Sequence, residues 1–496
     1  MREYHFSKFR YCCGIQCPKI LWLKENMPDE FDAGVMNPVI LSTGNDVGDL
    51  AMGLFGDYTE VPFTKKLGDM IPATQKFIED AVRNICEASF SFDGCFCSVD
   101  ILRNLGNKKV AFYEVKSSTG VRWIYEHDIS YQYYVLTKLG YDVQKACLVH
   151  INNQYVRHGE LELDKLFSIV DLTETVKEKL GEVEENIKKF REYLKNETEP
   201  ECKIGCQCSD PYECGYWSHC ASDMPQDNSH TVWEVASLRN KQWYYDNGYV
   251  TFEQLYDAGI LEGKYLQQIE VEIKDLPPQI DKPQIKKFLS TLSYPLYFLD
   301  FETFNPAVPL YDNSSPYQQI VFQYSLHYIE KEGAVLKHKE CLAYPGSDPR
   351  RQIAKQLCRD IPPDACTAAY NMGFEKGQIR ALADLYPDLH DHLMNIHDNI
   401  KDIMLPFRKR WYYTKEMQGS YSIKYVLPAL FPDEPGLNYH NLEGVHNGSE
   451  ASNVFFAMQK MDKKELGEWR EHLLRYCELD TFAMVKILEK LREAVE

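Results

Sequence analysis

The chain has 496 residues, 44% of them hydrophobic and 13% aromatic, a composition that excludes disorder and exceeds what one hydrophobic core holds. Because chains usually divide beyond roughly 250–300 residues, we expect two or three domains. The net charge of −19 excludes a surface that attracts polyanions on every side, although carboxylates that hold metal ions remain compatible with a nucleic-acid substrate.

No apolar run in the sequence approaches the roughly 20 residues needed to span a membrane. Residues 1–5 lead into no apolar segment of the kind found in secretory signals. The sequence therefore predicts a soluble, cytoplasmic protein without a membrane partner.

Residues 1–223 are predicted to form one α/β domain. Three helices are expected, over residues 74–88, 130–139 and 172–194, and the last of them is long, charged and exposed. Three strands are expected, over residues 96–103, 109–117 and 145–151. The first two strands are joined by a turn at Gly106-Asn107, which is a favoured turn sequence.

Asp100, Glu114 and Lys116 lie on the two strands that this turn joins. Residues two apart on a strand face the same side, so Glu114 and Lys116 project together and Asp100 lies nearly opposite them. Two carboxylates can hold Mg²⁺ or Mn²⁺ through oxygen ligands, and a lysine can position or polarise the attacking water. The pattern favours phosphodiester hydrolysis. A solvated hairpin face with an incidental Glu–Lys pair is the alternative interpretation.

Gln132 begins the helix that follows this strand pair. Together with the three residues above, it resembles the PD-(D/E)xK nuclease superfamily, especially its RecB branch and the CRISPR-associated RecB-like nucleases. The resemblance implies a restriction-endonuclease-like fold in which the two carboxylates bind the metal ion and the lysine and Gln132 complete the catalytic site. It also implies an acidic residue on an early helix, for which Asp49 is the first candidate and Glu79 the second.

The 16 cysteines are unevenly distributed, because five of them fall within residues 202–220 and three within residues 12–17. Disulfides are rare in a reducing cytoplasm, so such clusters indicate a metal site. Three of these cysteines follow one another with five residues between each pair: Cys208, Cys214 and Cys220.

These three cysteines and Cys17 resemble the arrangement in the CRISPR-associated RecB-like nucleases. In those proteins one N-terminal and three C-terminal cysteines hold a [4Fe-4S] cluster that closes the nuclease domain, and four thiolates are the required number. A structural Zn²⁺ ion would use the same four residues, and a site without metal is a third alternative. The remaining cysteines of the two groups are then spare thiols: Cys12, Cys13, Cys202 and Cys206.

Residues 224–293 are predicted to be a mainly helical linker region, and residues 294–496 a second α/β domain. Three strands are expected: one that begins at Tyr297, one over residues 320–329 and one over residues 335–343. A strand over 367–370, a helix over 374–385 and a final helix over 465–494 follow. Three consecutive strands followed by alternating helix and strand are the order expected of a ribonuclease-H-like sheet.

Four polar residues of this domain form a second candidate catalytic site. Asp300 and Glu302 share one face of the first strand. Tyr476 and Asp480 are four apart on the final helix and therefore lie on one side of it.

The pattern Asp-x-Glu, then a later acid, then Tyr-x-x-x-Asp resembles the DEDD exonucleases in their variant with tyrosine. In that family four acidic residues bind two metal ions, and the tyrosine orients the attacking water at the 3′ end of a strand. Here the ligands would be Asp300, Glu302, Glu375 and Asp480. The family usually has aspartate where this chain has Glu375, so Asp402 is kept as the rival third acid.

The segments Gly419–Pro428 and His446-Asn447-Gly448 extend the resemblance over nearly the whole chain, to the uncharacterised bacterial family DUF2779, which joins a RecB-like region to this kind of exonuclease domain. It implies a metal-dependent nuclease, an exodeoxyribonuclease in the first place, that acts on ends or single strands in DNA repair or in defence against foreign DNA. We expect DNA rather than RNA as its partner. The alternatives are a nucleic-acid-binding or scaffold protein with one or both sites degenerate, and an RNA-processing 3′-5′ exonuclease.

A basic and aromatic segment, Arg408-Lys409-Arg410-Trp411-Tyr412-Tyr413, is a candidate contact for nucleic acid, since cations meet phosphates and rings stack on bases. The alternative interpretation is a helix end that carries buried aromatic residues.

Overall fold

The computed structural model describes residues 6–35, 38–222, 224 and 230–496. The chain divides into two units. Unit 1 consists of Met1–Met224 together with Pro306–Tyr317, and unit 2 of Pro225–Asn305 together with Gln318–Glu496. The residues of the N-terminal segment on which the prediction of no secretory signal depends, 1–5, lie outside the described residues. No helix in the described part of the chain is both long enough and apolar enough to cross a membrane.

Unit 1 contains strands β1–β7 and helices α1–α9. In chain order they are β1 (Phe6–Ser7), α1 (Lys8–Gln16), α2 (Pro18–Asn26), α3 (Pro38–Ala51), β2 (Thr59–Glu60), α4 (Met70–Glu79), β3 (Asn84–Phe92), β4 (Cys95–Gly106), β5 (Lys109–Lys116), α5 (Trp123–Lys138), β6 (Asp142–Ile151), α6 (Leu163–Leu166), β7 (Phe167–Asp171), α7 (Thr173–Glu178), α8 (Leu180–Tyr193) and α9 (Trp217–Cys220).

The strands of unit 1 form one mixed sheet in the order β2-β3-β4-β5-β6-β7, and β1 pairs in parallel with the start of β4. Strands β3, β4 and β5 are antiparallel neighbours, whereas β5 and β6 are parallel. The parallel pair requires a crossover, which α5 provides. Gly106 pairs with Lys109, and the two residues between them, Asn107 and Lys108, have positive φ angles of 53° and 59°, as a two-residue hairpin turn requires.

Two hydrophobic clusters cover this sheet. One packs α5 and α8 against the strands through residues such as Ile129, Val135 and Phe190. The other packs α3 against β4 and β5 through Val47 and Ala51. Helices therefore cover the central strands, which are correspondingly apolar, and the polar residues that remain on β4 and β5 are exceptional.

Two helix predictions for unit 1 are wrong in part. The helix expected over 74–88 ends at Glu79, where Ala81 adopts a left-handed φ of 56°, and β3 follows. The helix expected over 172–194 is divided at Lys179 into α7 and α8. It is also not exposed all round, because Val183 and Phe190 are buried in the core. For residues 84–88, pairing of β3 with β4 decided the outcome over local helix propensity.

Unit 2 contains strands β8–β14 and helices α10–α20. In chain order they are α10 (Lys241–Asp246), α11 (Phe252–Asp257), α12 (Gly263–Ile273), β8 (Gln279–Ile280), α13 (Lys282–Leu289), β9 (Leu296–Phe304), β10 (Ile320–Ile329), β11 (Lys337–Leu342), α14 (Arg350–Asp360), β12 (Cys366–Ala369), α15 (Gly373–Leu385), α16 (His390–Asp398), β13 (Ile400–Asp402), α17 (Leu405–Arg408), β14 (Tyr412–Tyr413), α18 (Ile423–Leu430), α19 (Gly448–Ala457) and α20 (Lys463–Glu493).

The main sheet of unit 2 has the order β11-β10-β9-β12-β13. Strands β9, β10 and β11 are antiparallel, and β12 pairs in parallel with both β9 and β13. Strand β9 is therefore central. It presents Asp300 and Glu302 to the face on which α20 lies, because Cys477 of α20 contacts Asp300 there. The opposite face packs on α14, α15 and α16.

Candidate active sites and a candidate metal centre

Asp100 and Glu114 meet across neighbouring strands of unit 1. Asp100 lies on β4 and Glu114 on β5, near the start of the register that pairs Ile101 with Tyr113. The backbone N–H of Val115 donates a hydrogen bond to Asp100 Oδ2 at 2.7 Å, which fixes that carboxylate at the end of β5. Glu114 is almost completely buried, with 1% of its side chain exposed.

Lys116 and Gln132 both contact Glu114. The Lys116 ammonium lies 2.7 Å from Glu114 Oε1 and 2.7 Å from Asp128 Oδ2. Gln132 on α5 donates to Glu114 Oε2 at 2.7 Å and to Asp128 Oδ1 at 3.1 Å. Asp128, one helical turn before Gln132, is thus a fifth member of the group, which we call site 1.

Lys8, the first residue of α1, also belongs to site 1. Its Nζ lies 3.2 Å from Asp100 Oδ1 and 2.9 and 3.1 Å from the two oxygens of Glu114. This contact is not predictable from the sequence, since Lys8 is separated from Asp100 by 92 positions and lies in no motif. The Lys8 ammonium therefore contacts both Asp100 and Glu114, the two carboxylates predicted to bind a metal ion.

Charge in site 1 is largely balanced. Burial by itself would raise the pKa of Glu114, but Lys116 and Lys8 outweigh that effect and lower it. Burial and the charge of Glu114 raise the pKa of Asp100 to about 6, against the opposing effect of Lys8. Burial opposes the charge of Lys116, yet Asp128 and Glu114 raise its pKa, so the ammonium is retained.

A further acidic residue, Glu87, lies beside Asp100 on the other neighbouring strand. It sits on β3 between the pairs Cys86–Ile101 and Ala88–Val99, directly opposite Asp100, and has a left-handed φ of 56°. Burial, followed by the charge of Asp100, raises the pKa of Glu87 to about 7. Neither predicted early acid has such a position: Asp49 is exposed on α3, and Glu79 accepts a hydrogen bond from Gln75 at 2.8 Å.

Four of the five cysteines within residues 202–220, all except Cys206, lie around one small cavity with Cys17. The cavity is lined by all four predicted ligands and by one cysteine that had been considered spare. These residues are Cys17, Cys202, Cys208, Cys214 and Cys220. Cys202 Sγ is 3.6 Å from Cys17 Sγ, and the sequence did not reveal it because it breaks the regular spacing of the other three.

An apolar cluster encloses this cysteine cavity. It is built from Ile20, Trp22 and Leu23 of α2 together with Tyr216. Tyr212, close in sequence to Tyr216, is exposed and takes no part in this cluster. Burial raises the pKa of Cys208, Cys214 and Cys220, whereas the hydrogen bond from Cys17 lowers the pKa of Cys202 to about 6.

Site 2, in the second unit, brings four acidic residues together from three elements. Asp300 and Glu302 come from β9, Glu375 from the first turn of α15, and Asp480 from α20. Oxygens of Asp300 and Glu302 lie within 4.8 Å of each other and of Cys477 Sγ. Tyr476, the remaining predicted residue, is also buried on α20.

The acids of site 2 disfavour one another's ionisation. Burial is the first cause of the raised pKa of Asp300, and the charges of Asp480, Glu302 and Glu375 follow. Burial and Asp480 likewise raise the pKa of Glu302. Burial raises the pKa of Asp480 to about 6 in spite of the hydrogen bond from Tyr439, at 2.7 Å.

Glu375, rather than Asp402, is the third acid of this group by its contacts. Burial raises the pKa of Glu375 to about 8, with Asp402 and Asp480 adding to the effect. Its Oε2 is buried without a hydrogen-bond partner in the described part of the chain. Asp402 is satisfied instead: its Oδ1 accepts from the N–H groups of Asn371 and Met404, and its Oδ2 lies 3.3 Å from Arg408.

A cavity of 560 Å³ adjoins site 2. Tyr439, which donates to Asp480, is one of its walls, and Lys424, whose charge lowers the pKa of Glu302, is another. Gly448 borders Glu302, because a Cβ atom at this glycine would lie 3.4 Å from Glu302 Oε2. The segments around 419–428 and 446–448 that carried part of the sequence resemblance thus line this cavity.

The basic and aromatic segment from Arg408 to Tyr413 is used internally. Tyr412 and Tyr413 are buried. Arg410 lies 4.1 Å from the Tyr413 ring centroid and donates to the backbone oxygen of Gly419. Together with the contact between Arg408 and Asp402, these interactions favour the interpretation as a helix end with buried aromatic residues.

Comparison with known proteins identifies relatives but no activity. Residues 297–422 match the model of the family described as "Domain of unknown function (DUF2779)". Uncharacterized protein MG366 of Mycoplasma genitalium is 24% identical over 216 residues, which are 40% of this chain and 32% of that protein. Uncharacterized protein UU173 of Ureaplasma parvum serovar 3 is 25% identical over 241 residues, which are 44% of this chain and 34% of that protein. The chain thus spans about a third of the length of the curated relatives it matches. No solved structure is significantly similar to it.

Proposed function

We propose that the chain is a metal-dependent nuclease that hydrolyses phosphodiester bonds of DNA, at ends or in single strands, with one catalytic site in each unit. Its use would be in DNA repair or in defence against foreign DNA. The observation that carries the proposal is the group of four acids in site 2, which are buried together and repel one another. Uncompensated buried carboxylates are costly unless a cation joins them, so this arrangement favours divalent metal binding.

In site 2, Asp300, Glu302, Glu375 and Asp480 are the oxygen ligands that such an ion requires. Bound Mg²⁺ or Mn²⁺ would polarise the phosphoryl oxygen and lower the pKa of the attacking water. Burial, followed by the charge of Asp480, raises the pKa of Tyr476, so its hydroxyl keeps its proton and can orient a water by hydrogen bonding. Tyr439 holds the Asp480 carboxylate in position.

The adjoining cavity supports a nucleotide as the occupant. Its volume of 560 Å³ lies within the range of small-ligand pockets, which is roughly 300–1,000 Å³. Lys424 supplies a cation for a phosphate, and His446 and Asn447 supply polar contacts. A terminal nucleotide in this cavity would bring its phosphodiester to the acids of site 2.

In site 1, Asp100 and Glu114 are the proposed metal ligands, and Lys116 is the proposed water-positioning group. Asp128 and Gln132 keep Lys116 and Glu114 in place through the hydrogen bonds described above. The order β3-β4-β5-β6 with α5 as crossover supports the restriction-endonuclease-like assignment, and the order of the unit 2 sheet supports the ribonuclease-H-like one.

The test is cleavage of end-labelled single- and double-stranded DNA, and of RNA in parallel, with Mg²⁺ or Mn²⁺. Wild type is compared with Lys116→Ala, Asp480→Asn and the double variant. Loss of Lys116, the proposed water-positioning group of site 1, or of Asp480, a proposed metal ligand of site 2, is expected to lower the rate by at least about 10²-fold at its own site. Control variants are Lys109→Ala, on the same strand as Lys116, and Glu468→Gln, on the exposed side of α20; both should retain the wild-type rate.

Release of single nucleotides that persists in Lys116→Ala and disappears in Asp480→Asn would assign exonuclease activity to site 2. Preference for RNA in direct competition would favour an RNA-processing exonuclease instead. Wild type that cuts neither nucleic acid with either metal contradicts the proposal.

A second candidate function follows from Lys8. Its ammonium lies against both predicted metal ligands of site 1, which is the arrangement of a site whose cation is already supplied by the protein. Unit 1 would then bind nucleic acid without cutting it. If Lys8→Gln shows Mg²⁺-dependent cleavage that is lost in Lys8→Gln/Lys116→Ala, Lys8 suppresses a competent site. If Asp480→Asn, which retains Lys8, already cleaves and this cleavage depends on Lys116, the second candidate is excluded.

The cysteine cavity supports a [4Fe-4S] cluster as the proposed cofactor of unit 1, with Zn²⁺ as the alternative. Five thiols around one apolar-walled cavity exceed the four that either cofactor needs. We expect anaerobically purified protein to be brown and to contain about four iron and four sulfide per chain. Cys208→Ser should lose the colour and Cys358→Ser, outside the cavity, should retain it. Colourless anaerobic protein with one zinc per chain contradicts the iron–sulfur assignment.

A further inference from the structure

Two histidines face each other on neighbouring strands of unit 2. His327 on β10 is directly paired with His338 on β11 in the antiparallel register. Their ring centroids are 4.5 Å apart, with the planes inclined by 33°. Glu478 of α20 is the third member, because a nitrogen of each ring and a carboxylate oxygen of Glu478 all lie within 4.8 Å of one another.

Hydroxyl groups hold both rings in orientation. Thr481 Oγ1 lies 2.8 Å from His327 Nδ1, and Ser325 Oγ lies 2.9 Å from His338 Nε2. The two hydroxyls are themselves 2.7 Å apart. These contacts direct the other nitrogens, His327 Nε2 and His338 Nδ1, away from the hydroxyl pair, and His338 Nδ1 lies 3.9 Å from Glu478 Oε1. Fixing one nitrogen of a histidine by a hydrogen bond is the usual way in which the other is prepared to bind a metal ion.

Two imidazoles and a carboxylate suit a transition metal ion better than Mg²⁺, which prefers oxygen ligands alone. Tetrahedral zinc, with bonds of about 2.0–2.1 Å, places its ligand atoms roughly 3.4 Å apart. In the present structure the ligand atoms lie within 4.8 Å of one another, so a bound ion would draw them closer together. Glu478 can move towards the rings, because its side chain is 48% exposed.

We infer that His327, His338 and Glu478 form a binding site for a divalent transition metal ion of the zinc class, which fixes α20 to the hairpin of β10 and β11. Neither the sequence motifs nor the acids of site 2 include these residues, and the inference does not rest on the proposed nuclease activity. Its consequence concerns α20, since Glu478 lies between Tyr476 and Asp480 on that helix. An ion at this position would therefore fix the part of α20 that contributes to site 2.

The experiment is equilibrium binding of Zn²⁺, and of Co²⁺ as a spectroscopic probe, to the purified full chain stripped of loosely bound metal. Excess Mg²⁺ is present to occupy carboxylate sites. Co²⁺ held by nitrogen and oxygen gives visible ligand-field bands without the thiolate charge-transfer band that cysteine ligation produces, so the cysteine cavity is distinguished in the same spectrum.

Three variants accompany wild type. His338→Gln and Glu478→Gln each remove one ligand from a partly exposed position, so neither is expected to disturb folding. His390→Gln is the matched control, because His390 is exposed on α16 and pairs with Asp391 at 3.1 Å. Unfolding in EDTA verifies that all four proteins are folded.

We expect wild type and His390→Gln to bind one Zn²⁺ that the other two variants bind at least about 100-fold more weakly. Saturating Zn²⁺ should raise the unfolding midpoint of unit 2 by roughly 5 °C in wild type and in His390→Gln, but not in His338→Gln or Glu478→Gln. Unchanged Zn²⁺ affinity in His338→Gln and Glu478→Gln overturns the inference. So does a wild-type Co²⁺ spectrum with thiolate bands alone, or one with no ligand-field bands; the three residues would then be a hydrogen-bonded group only.

Discussion

At the scale of single residues, the protonation of buried carboxyl groups in site 2 has a measurable effect on stability. Glu375 is buried, has one oxygen without a partner in the described part of the chain, and has its pKa raised to about 8 by burial first and by Asp402 and Asp480 next. A carboxyl group in that state binds a proton more tightly in the folded chain than in the unfolded one. Folding stability therefore depends on pH through this residue.

We predict that unit 2, in EDTA, becomes less stable as pH rises from 4.5 to about 8. Below the ordinary glutamate pKa of 4.5 both states are protonated. Above it the unfolded state ionises first, and this ionisation lowers the free energy of the unfolded state relative to the folded state. The loss is on the order of a few kcal/mol. Urea unfolding at a series of pH values measures it. Glu375→Gln should reduce the dependence on pH, and the remainder belongs to Asp300, Glu302 and Asp480, whose pKa values are also raised.

The matched control for this prediction is Glu468→Gln, which makes the same chemical change at an exposed position of α20. Its curve should follow that of wild type. Saturating Mg²⁺ should reduce the loss in wild type, because the cation replaces the proton. Parallel curves for wild type and Glu375→Gln would show that Glu375 is not the titrating group.

At the scale of elements, α5 connects the short strand β1 to the rest of unit 1. The hydroxyl of Tyr131, a fully buried residue, donates to the backbone oxygens of Phe6 and Phe96 at 3.1 and 3.3 Å. Strand β1 is followed at once by Lys8, which contacts Asp100 and Glu114. Tyr131 on α5 thus helps to position Lys8 at the start of α1.

We predict that Tyr131→Phe lowers the free energy of unfolding of unit 1 by about 1–2 kcal/mol, since two buried carbonyl groups lose a donor. Urea unfolding followed by circular dichroism measures the change. The control is Tyr141→Phe, because the Tyr141 hydroxyl donates one exposed hydrogen bond to Gln75 at 3.4 Å, and its loss should cost less than about 0.5 kcal/mol. Equal effects of both substitutions would contradict the role assigned to Tyr131.

The elements themselves were predictable where local chemistry decided them. The turn at Gly106-Asn107 and the long α20 are present as expected, because turn preference and apolar periodicity act over a few residues. The helix expected over 74–88 was wrong beyond Glu79, since pairing of β3 with β4 overrode helix propensity there. Glu87 was missed for the same reason: only the pairing of β3 with β4 brings it opposite Asp100.

Contacts between residues that are far apart in the chain could not be predicted from the sequence. Asp300 and Glu302 were found because two positions on one strand share a face, and Asp480 with Tyr476 because four positions on a helix do. Lys8 reaches Asp100 across 92 positions and Cys202 reaches Cys17 across 185, and neither pair has a spacing rule. Site residues carried by a local period were therefore predictable, and partners brought together by the fold alone were not.

At the scale of the whole molecule, the two units have separate hydrophobic cores, and this separation predicts two unfolding transitions. The sites should then act on different transitions. Cys208→Ser, which removes a proposed cofactor ligand, should lower the transition of unit 1 alone. Asp300→Asn, measured in EDTA, should raise that of unit 2 alone, because it removes one of four mutually repelling carboxylates.

Differential scanning calorimetry of the full chain measures both effects. For a unit of this size, 1 kcal/mol corresponds to roughly 2–4 °C, so shifts of a few degrees are expected in opposite directions. Because the residues concerned lie in different units, the double variant should show the sum of the two shifts. A single transition that both substitutions move would mean that the units unfold together. Even then, the shifts in transition temperature would have opposite signs. Cys208→Ser would lower it because the cysteine site stabilises the fold, and Asp300→Asn would raise it because the acidic site without a cation destabilises the fold.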